Sequence, residues 1–269
     1  MSILKDKRLF LLDMDGTIYL DNDLFDGTID FLNYVRSVGG RYIFLTNNSS
    51  KSVNKYIDKL NGMGITAGRE DFITSIDATI DYLEAKEYNK IYALGTESFK
   101  EQLTDAGINI TDKLEVGIDC LCMGYDTELT YKKLEDACIL LKKDIAYLVT
   151  NPDWVCPTWY GYAPDCGSVS EMLYRATGKR PVFIGKPETA MAELAMKTTG
   201  FDKQETVIMG DRLYTDIACG VNAGIETIFV LSGEGTEDDI EKYDIHPDYI
   251  FKNILELYNY LKQEVKNEV

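Results

Sequence analysis

Residues Leu9 to Thr17 read LFLLDMDGT, an apolar run that ends at Asp13 with Asp15, Gly16 and Thr17 directly behind it. Two carboxylates this close repel each other, which favours a hard divalent cation such as Mg2+ or the sharing of one proton. Asp13 and Asp15 therefore offer a nucleophile, a metal site and an acid or base in one short stretch. The same pattern has a plainer reading, because an aspartate after a strand is often only a turn former or a helix N-cap. The rest of the chain has to decide between them.

The elements that would position these groups alternate along the chain, the signature of a parallel α/β sheet flanked by helices. The run 9–12 shows no alternation, as expected of a strand covered on both faces. In such sheets the ligand crevice lies beyond the carboxyl ends of the strands. A helix carrying Ile29, Phe31, Leu32 and Val35 follows, capped by Asp26 or Thr28 and stopped by Gly39-Gly40. Strand 41–45 runs into Thr46-Asn47-Asn48-Ser49-Ser50, and helices follow around 53–60 and 75–87. The pattern then restarts, with strands at 91–94, 119–124 and 146–150, a Gly-, Pro- and aromatic-rich loop, and a helix over 169–177. Pro181 precedes VFIG, which reads as a return to the first sheet. The expected organisation is a doubly wound core of residues 1–79 and 182–269, with 80–181 as an inserted α/β domain. Pro187 suits the first position of the next helix, and strands at 206–209, 228–231 and 249–251 precede a closing amphipathic helix.

Composition narrows the possibilities. The chain has 269 residues, long enough for a large core and two domains. A net charge of -17 argues against nucleic acid or an anionic membrane as the main partner. It also means that an anionic substrate would need positive charge supplied locally. MSILKDKR is too short and charged for a signal peptide, no apolar run approaches the roughly 20 residues of a membrane span, and the expected compartment is the cytoplasm. The six cysteines lack a metal-binding CxxC spacing. Cys120 and Cys122 alternate onto one strand face as small buried hydrophobes. The single histidine, His246, reads as a loop residue and argues against Ser-His-Asp or multi-His chemistry.

Four strand ends carry complementary groups. Asp13 and Asp15 follow the first strand, Thr46 and Asn47 the second, Lys186 the strand after the insert, and Asp211 the next. Each taken singly could be a cap, a turn residue or a solvated charge. Together they supply carboxylates for a cation, and a hydroxyl, amides and an ammonium for phosphate oxygens. Phosphoryl transfer needs that combination, because its catalysis is mostly positioning and charge stabilisation.

DMDGT, TNNSS, GKP and GDRLYTD, in that order, resemble the four motifs of the haloacid dehalogenase superfamily of phosphohydrolases. The TNN form, the position of the insert, and TNPD…PT…G…GS within it resemble the NagD-like, p-nitrophenyl phosphatase branch. That resemblance implies a phosphatase of small phosphate monoesters, with a sugar phosphate, a nucleoside monophosphate or phosphoglycolate as leading substrates. It implies Asp13 as nucleophile forming an aspartyl phosphate, and Asp15 as acid then base. Asp13, the Asp15 carbonyl and Asp211 would bind Mg2+, and Asp216 would orient a metal-bound water. Thr46, the Asn47 amide, Asn48 nearby and Lys186 would hold the phosphoryl group. The insert would be a cap that sets specificity, and members of the family sometimes dimerise through it.

GYAPDCGS departs from the glycine-rich PGxGS form expected of the cap loop. Asp165 there would either face substrate, disfavouring a second anion, or cap the following helix. Trp154, Trp159, Tyr160 and Tyr162 would either stack on substrate or pack the core of the insert. A phosphomutase on the same fold and a phospho-acceptor switch resembling a receiver domain are the alternative readings, the latter at odds with the length and the insert.

Overall fold

Leu9, Phe10, Leu11 and Leu12 are all buried and form the predicted strand. In the computed structural model, which describes residues 4–158 and 160–266, it lies inside a six-stranded sheet. The chain divides into two compact units. One contains the chain up to Thr46, Asn54–Ile73 and the chain from Lys186 onward; the other contains Asn47–Val53 and Thr74–Gly185.

In the first unit the strand order is Tyr249–Phe251, Glu226–Val230, Thr206–Gly210, Leu9–Leu12, Arg41–Thr46, Phe72–Thr74. Leu9–Leu12 pairs in parallel with Thr206–Gly210 on one side and Arg41–Thr46 on the other. Chain order runs outward from it in both directions, so its carboxyl end is the topological switch point where ligands bind in such sheets. The flanking helices bury one stripe each. Thr28–Ser37 turns Phe31, Leu32 and Val35 inward, and Phe31 meets Phe10 edge-on with ring centroids 5.3 Å apart, a geometry worth about 0.5–1.5 kcal/mol beyond burial. Neither Asp26 nor Thr28 caps this helix. Gly27 occupies the cap without a side-chain bond, and Thr28 instead donates to the Ile18 carbonyl at 3.0 Å. Pro187 does not open its helix either, which spans Ala190–Thr199 behind Thr189.

The second unit holds a five-stranded parallel sheet in the order Val182–Phe183, Ala146–Val149, Cys120–Met123, Ile91–Leu94, Ile110–Thr111. Alternation divides its side chains between two cores. Tyr92, Leu94, Leu121, Met123, Tyr147 and Val149 pack with Leu140 and Leu173. Ile91, Ala93, Cys120, Cys122 and Leu148 pack with Leu83, Phe99 and Leu103. Cys120 and Cys122 are thus the buried hydrophobes expected, burial pushing the Cys120 thiol up to about 12.

Three further expectations differ from the structure. Val182–Phe183 does not return to the first sheet but pairs with Leu148 and Val149, and Phe183 packs against the second unit's core. A strand this short carries too little pattern to declare its sheet. Lys186 therefore follows a strand of the second sheet. The presumed loop after Ala146–Val149 contains an antiparallel hairpin, Val155–Thr158 with Gly161–Pro164. Trp154, Tyr160 and Tyr162 around it are largely exposed rather than core residues, and Trp159 lies outside the described residues. The next helix, Cys166–Thr177, starts three residues before Val169, because Asp165 caps it by accepting the Cys166 N–H at 2.6 Å. His246 is an exposed loop residue beside Asp244. No helix among the described residues is long and apolar enough to cross a membrane.

Asp165 is buried, so Asp165→Ala should lower the unfolding free energy by about 1 kcal/mol through loss of the cap. Urea denaturation should show this as a lower midpoint with unchanged slope.

Candidate active site

The register brings the acidic groups together. Leu12 is paired with both Met209 and Phe44, so the carboxyl ends of three adjacent strands are level. Asp13 continues the pairing by donating its N–H to the Met209 carbonyl at 2.9 Å. Asp211 follows the end of Thr206–Gly210, and buried Thr46 closes Arg41–Thr46. Asp216 reaches the same place from the π-helical turn Leu213–Ile217.

Lys186 ties the group together. Its Nζ donates to Asp13 Oδ1 at 2.7 Å and to Asp216 Oδ1 at 2.6 Å, and its side chain is buried. Burial alone would pull the ammonium down, but Asp13 and Asp216 beside it hold it above the ordinary lysine value. The carboxylates are perturbed the other way. Burial pushes Asp13 up to about 6, with Lys186 opposing and Asp216 adding to the shift. Burial, then the charges of Asp13 and Asp216, push Asp211 up to about 8. Asp15 is exposed, yet partial desolvation raises its carboxyl, with Lys59 opposing.

Asp13, Asp211 and Asp216 each offer a carboxylate oxygen, all within 4.8 Å of one another. Their oxygens differ in what they already bind. Asp216 accepts from Lys186 at Oδ1 and from the Arg212 N–H at Oδ2, 3.2 Å away. Asp211 Oδ2 accepts the Glu234 N–H at 2.7 Å, whereas buried Asp211 Oδ1 has no hydrogen-bond partner among the described residues. A buried anionic oxygen left in that state is costly, and a hard divalent cation satisfies it. The residues present fit such an ion.

The space around Asp211 depends on glycine. A Cβ on Gly16, whose φ is 83°, would stand 2.4 Å from Asp211 Oδ2, and one on Gly233 would stand 2.0 Å from it. Gly16 thus does more than turn the chain after Asp15.

Asn47 and Asn48 belong to the second unit by their contacts. Asn47 Nδ2 lies 3.2 Å from both Asp153 oxygens, and the Asn47 carbonyl accepts from Ser75 Oγ and Asn151 Nδ2. Asn48 Oδ1 accepts from the Ser50 N–H and hydroxyl in a local turn. The TNN and TNPD motifs are therefore one hydrogen-bonded assembly, a role for Asn151 and Asp153 that spacing alone did not assign. Arg212 and Glu234 were also missed, the first although it stands inside GDRLYTD, the second signalled only by the glycines around it.

A parallel sheet with a cluster of carboxylates that could hold a cation at its switch point is the arrangement of an α/β enzyme. The haloacid dehalogenase-like hydrolase family matches residues 10–109, and a second HAD-hydrolase-like family matches residues 183–257. The chain is 35% identical over 252 residues to an acid sugar phosphatase of Staphylococcus epidermidis, covering 93% of this chain and 96% of that one. Its fold is similar to the crystal structure of a 4-nitrophenylphosphatase from Thermotoga maritima, with a TM-score of 0.89, 38% identity and coverage of 95% and 98%. It is also similar to a glycerol phosphate phosphatase from Mycobacterium tuberculosis in complex with calcium, with a TM-score of 0.88, 28% identity and coverage of 96% and 76%. The chain belongs to the haloacid dehalogenase-like hydrolases, in their NagD-like branch, and is a phosphoric monoester hydrolase.

Asp13 and Asp211 hold protons more tightly folded than unfolded, so folding takes up protons between the ordinary carboxylate range and about 6 for Asp13 and about 8 for Asp211. Their contribution makes the metal-free protein less stable as pH rises through that window. Thermal melts in EDTA should show a Tm that declines from about pH 5 to about pH 8. Asp211→Asn should flatten the upper half of the decline, and an unchanged slope would overturn the assignment.

Proposed function

We propose that this enzyme is a Mg2+-dependent phosphatase of small phosphate monoesters, working through an aspartyl-phosphate intermediate. The observation that carries the reading is the Asp13–Lys186–Asp216 chain beside a buried Asp211 oxygen with no hydrogen-bond partner among the described residues.

Asp13 is the proposed nucleophile. Its Oδ1 is held by Lys186, which fixes the carboxylate and leaves Oδ2 to attack phosphorus. The Lys186 ammonium then lies where a phosphoryl oxygen gathers charge. Asp15 sits two residues on, with a raised pKa and access to solvent. Those properties suit a group that protonates the leaving alcohol and then takes a proton from the water that opens the phosphoenzyme. Thr46 and the Asn47 amide are the proposed phosphoryl donors, with Asn48 supporting the turn behind them. Asp13, the Asp15 carbonyl and Asp211 would hold Mg2+, which would neutralise phosphoryl charge when bound. Asp216, with both oxygens already engaged, suits an outer position that orients the ion's surroundings.

The insert 80–181 is the proposed cap and determinant of substrate. Sugar phosphates lead the substrate classes, ahead of nucleoside monophosphates and phosphoglycolate. The acid sugar phosphatase and glycerol phosphate phosphatase relatives support a polyol phosphate. Asp165 does not contribute to selectivity in this reading, since its carboxylate is occupied as a helix cap.

Purified protein with Mg2+ should release phosphate from p-nitrophenyl phosphate, and EDTA should abolish the release reversibly. Asp13→Asn should lower turnover by at least about 10³-fold, a loss of about 4 kcal/mol of transition-state stabilisation. Wild-type turnover in that variant would remove Asp13 as nucleophile. Asp15→Asn should cost about 10²–10⁴-fold on a sugar phosphate. The loss should be smaller on p-nitrophenyl phosphate, whose leaving group needs little protonation. Equal losses on both substrates would assign leaving-group protonation elsewhere.

A further inference from the structure

The arc Gly233-Glu234-Gly235 wraps Asp211 with backbone alone. The Glu234 N–H donates to Asp211 Oδ2 at 2.7 Å, and the Gly235 N–H donates to the Asp211 carbonyl at 3.0 Å. A Cβ on Gly235 would stand 2.4 Å from that carbonyl, as one on Gly233 would crowd the carboxylate. The close approach thus requires glycine on both sides, and glycine loses more conformational freedom on ordering than any other residue. Between the two glycines, the Glu234 side chain is the arc's one side-chain handle.

That handle is gripped twice. The Tyr214 hydroxyl donates to Glu234 Oε1 at 2.9 Å, and Arg212 Nε, 2.9 Å from Glu234 Oε2, pairs with it by charge without a hydrogen bond. Arg212 is the residue after Asp211, and its own N–H donates to Asp216 Oδ2. One stretch of chain, 211–216, therefore carries two of the clustered carboxylates and both groups that hold Glu234. The rings of Tyr214 and Tyr243 pack 5.5 Å apart, fixing Tyr214 from behind. Glu234 is nearly half exposed, and a lone surface ion pair contributes little to stability. Its position explains it better as a pin on the backbone donor of Asp211 than as a contribution to folding.

We propose that Glu234 is a positioning residue for the cation site: Arg212 and Tyr214 clamp its carboxylate, its backbone N–H thereby fixes Asp211 Oδ2, and Asp211 Oδ1 is left aimed at the ion. The inference rests on the proposed Mg2+ site and adds to it a residue that touches neither ion nor substrate. Outer partners of metal ligands typically alter affinity by 10–100-fold. Glu234→Ala should therefore raise the Mg2+ dissociation constant of the metal-free enzyme by about 10-fold or more in calorimetric titration. Tyr214→Phe, which removes one grip, should have a smaller effect in the same direction. Glu234→Gln, which keeps the side-chain length and an oxygen for one partner but loses the charge that holds Arg212, should restore only part of the affinity. Amide hydrogen exchange over residues 230–236 in EDTA should quicken in Glu234→Ala and Tyr214→Phe, while Tm in EDTA stays near that of the wild type. Turnover of Glu234→Ala should recover as Mg2+ is raised, with KM for p-nitrophenyl phosphate little changed. Wild-type Mg2+ affinity and exchange in Glu234→Ala would overturn the clamp and leave the proposed function intact. A wild-type protein that binds no Mg2+ would overturn the proposed metal site and the clamp with it.

Discussion

Three carboxylates crowd the carboxyl end of the central strand, and one ammonium sits between two of them. Lys186 holds Asp13 and Asp216 together, at 2.7 and 2.6 Å. Removing one partner of such a buried set typically costs about 3–5 kcal/mol, because the charge left behind is uncompensated. The rest of the first unit can be understood as the means of keeping this cluster ordered. Parallel register levels the strand ends, glycines leave room for Asp211, and the π-helical turn returns Asp216 to the group. With all three carboxylates ionised the cluster is two positive charges short of neutral, and burial together with that like charge raises the carboxyls of Asp13 and Asp211.

The chain's net charge of -17 makes the local arrangement more telling. An acidic protein handles an anionic substrate by concentrating cationic groups rather than by carrying them on its surface. Lys186 and Arg212 are both largely buried, and both are held by acidic partners. Their charges act at short range, where neither solvent nor salt screens them strongly.

Much of this was legible in the sequence, for identifiable reasons. Leu9–Leu12 and Thr206–Gly210 are continuous apolar runs, so their burial and the exit of Asp13 and Asp211 at their ends could be read directly. Cys120 and Cys122 declared their shared face through alternation. Val182–Phe183 did not declare its sheet, because partner choice for so short a strand is settled by tertiary packing of Phe183. The hairpin around Tyr160 was hidden by glycines and prolines that also mark loops. Asp165 left two roles open in sequence, and the N–H of Cys166 settled it as a cap. The contact of Glu234 with Asp211 joins loops from different strands. Nothing in the local pattern of SGEG, beyond its glycines, points across that gap.

The boundaries between the two units have a practical consequence. The chain crosses between the units at Thr46-Asn47, Val53-Asn54, Ile73-Thr74 and Gly185-Lys186, and the first and last of these crossings fall inside chemical motifs. A cut at the first would part Thr46 from Asn47, and a cut at the last would part Lys186 from the glycine of its own motif. Exchange of the second unit between relatives therefore cannot be made at those two points. Splice points for a chimera belong at or after Ile73-Thr74 and before Gly185, so that TNNSS and GKP pass through uninterrupted and Asn54–Ile73 stays with the first unit.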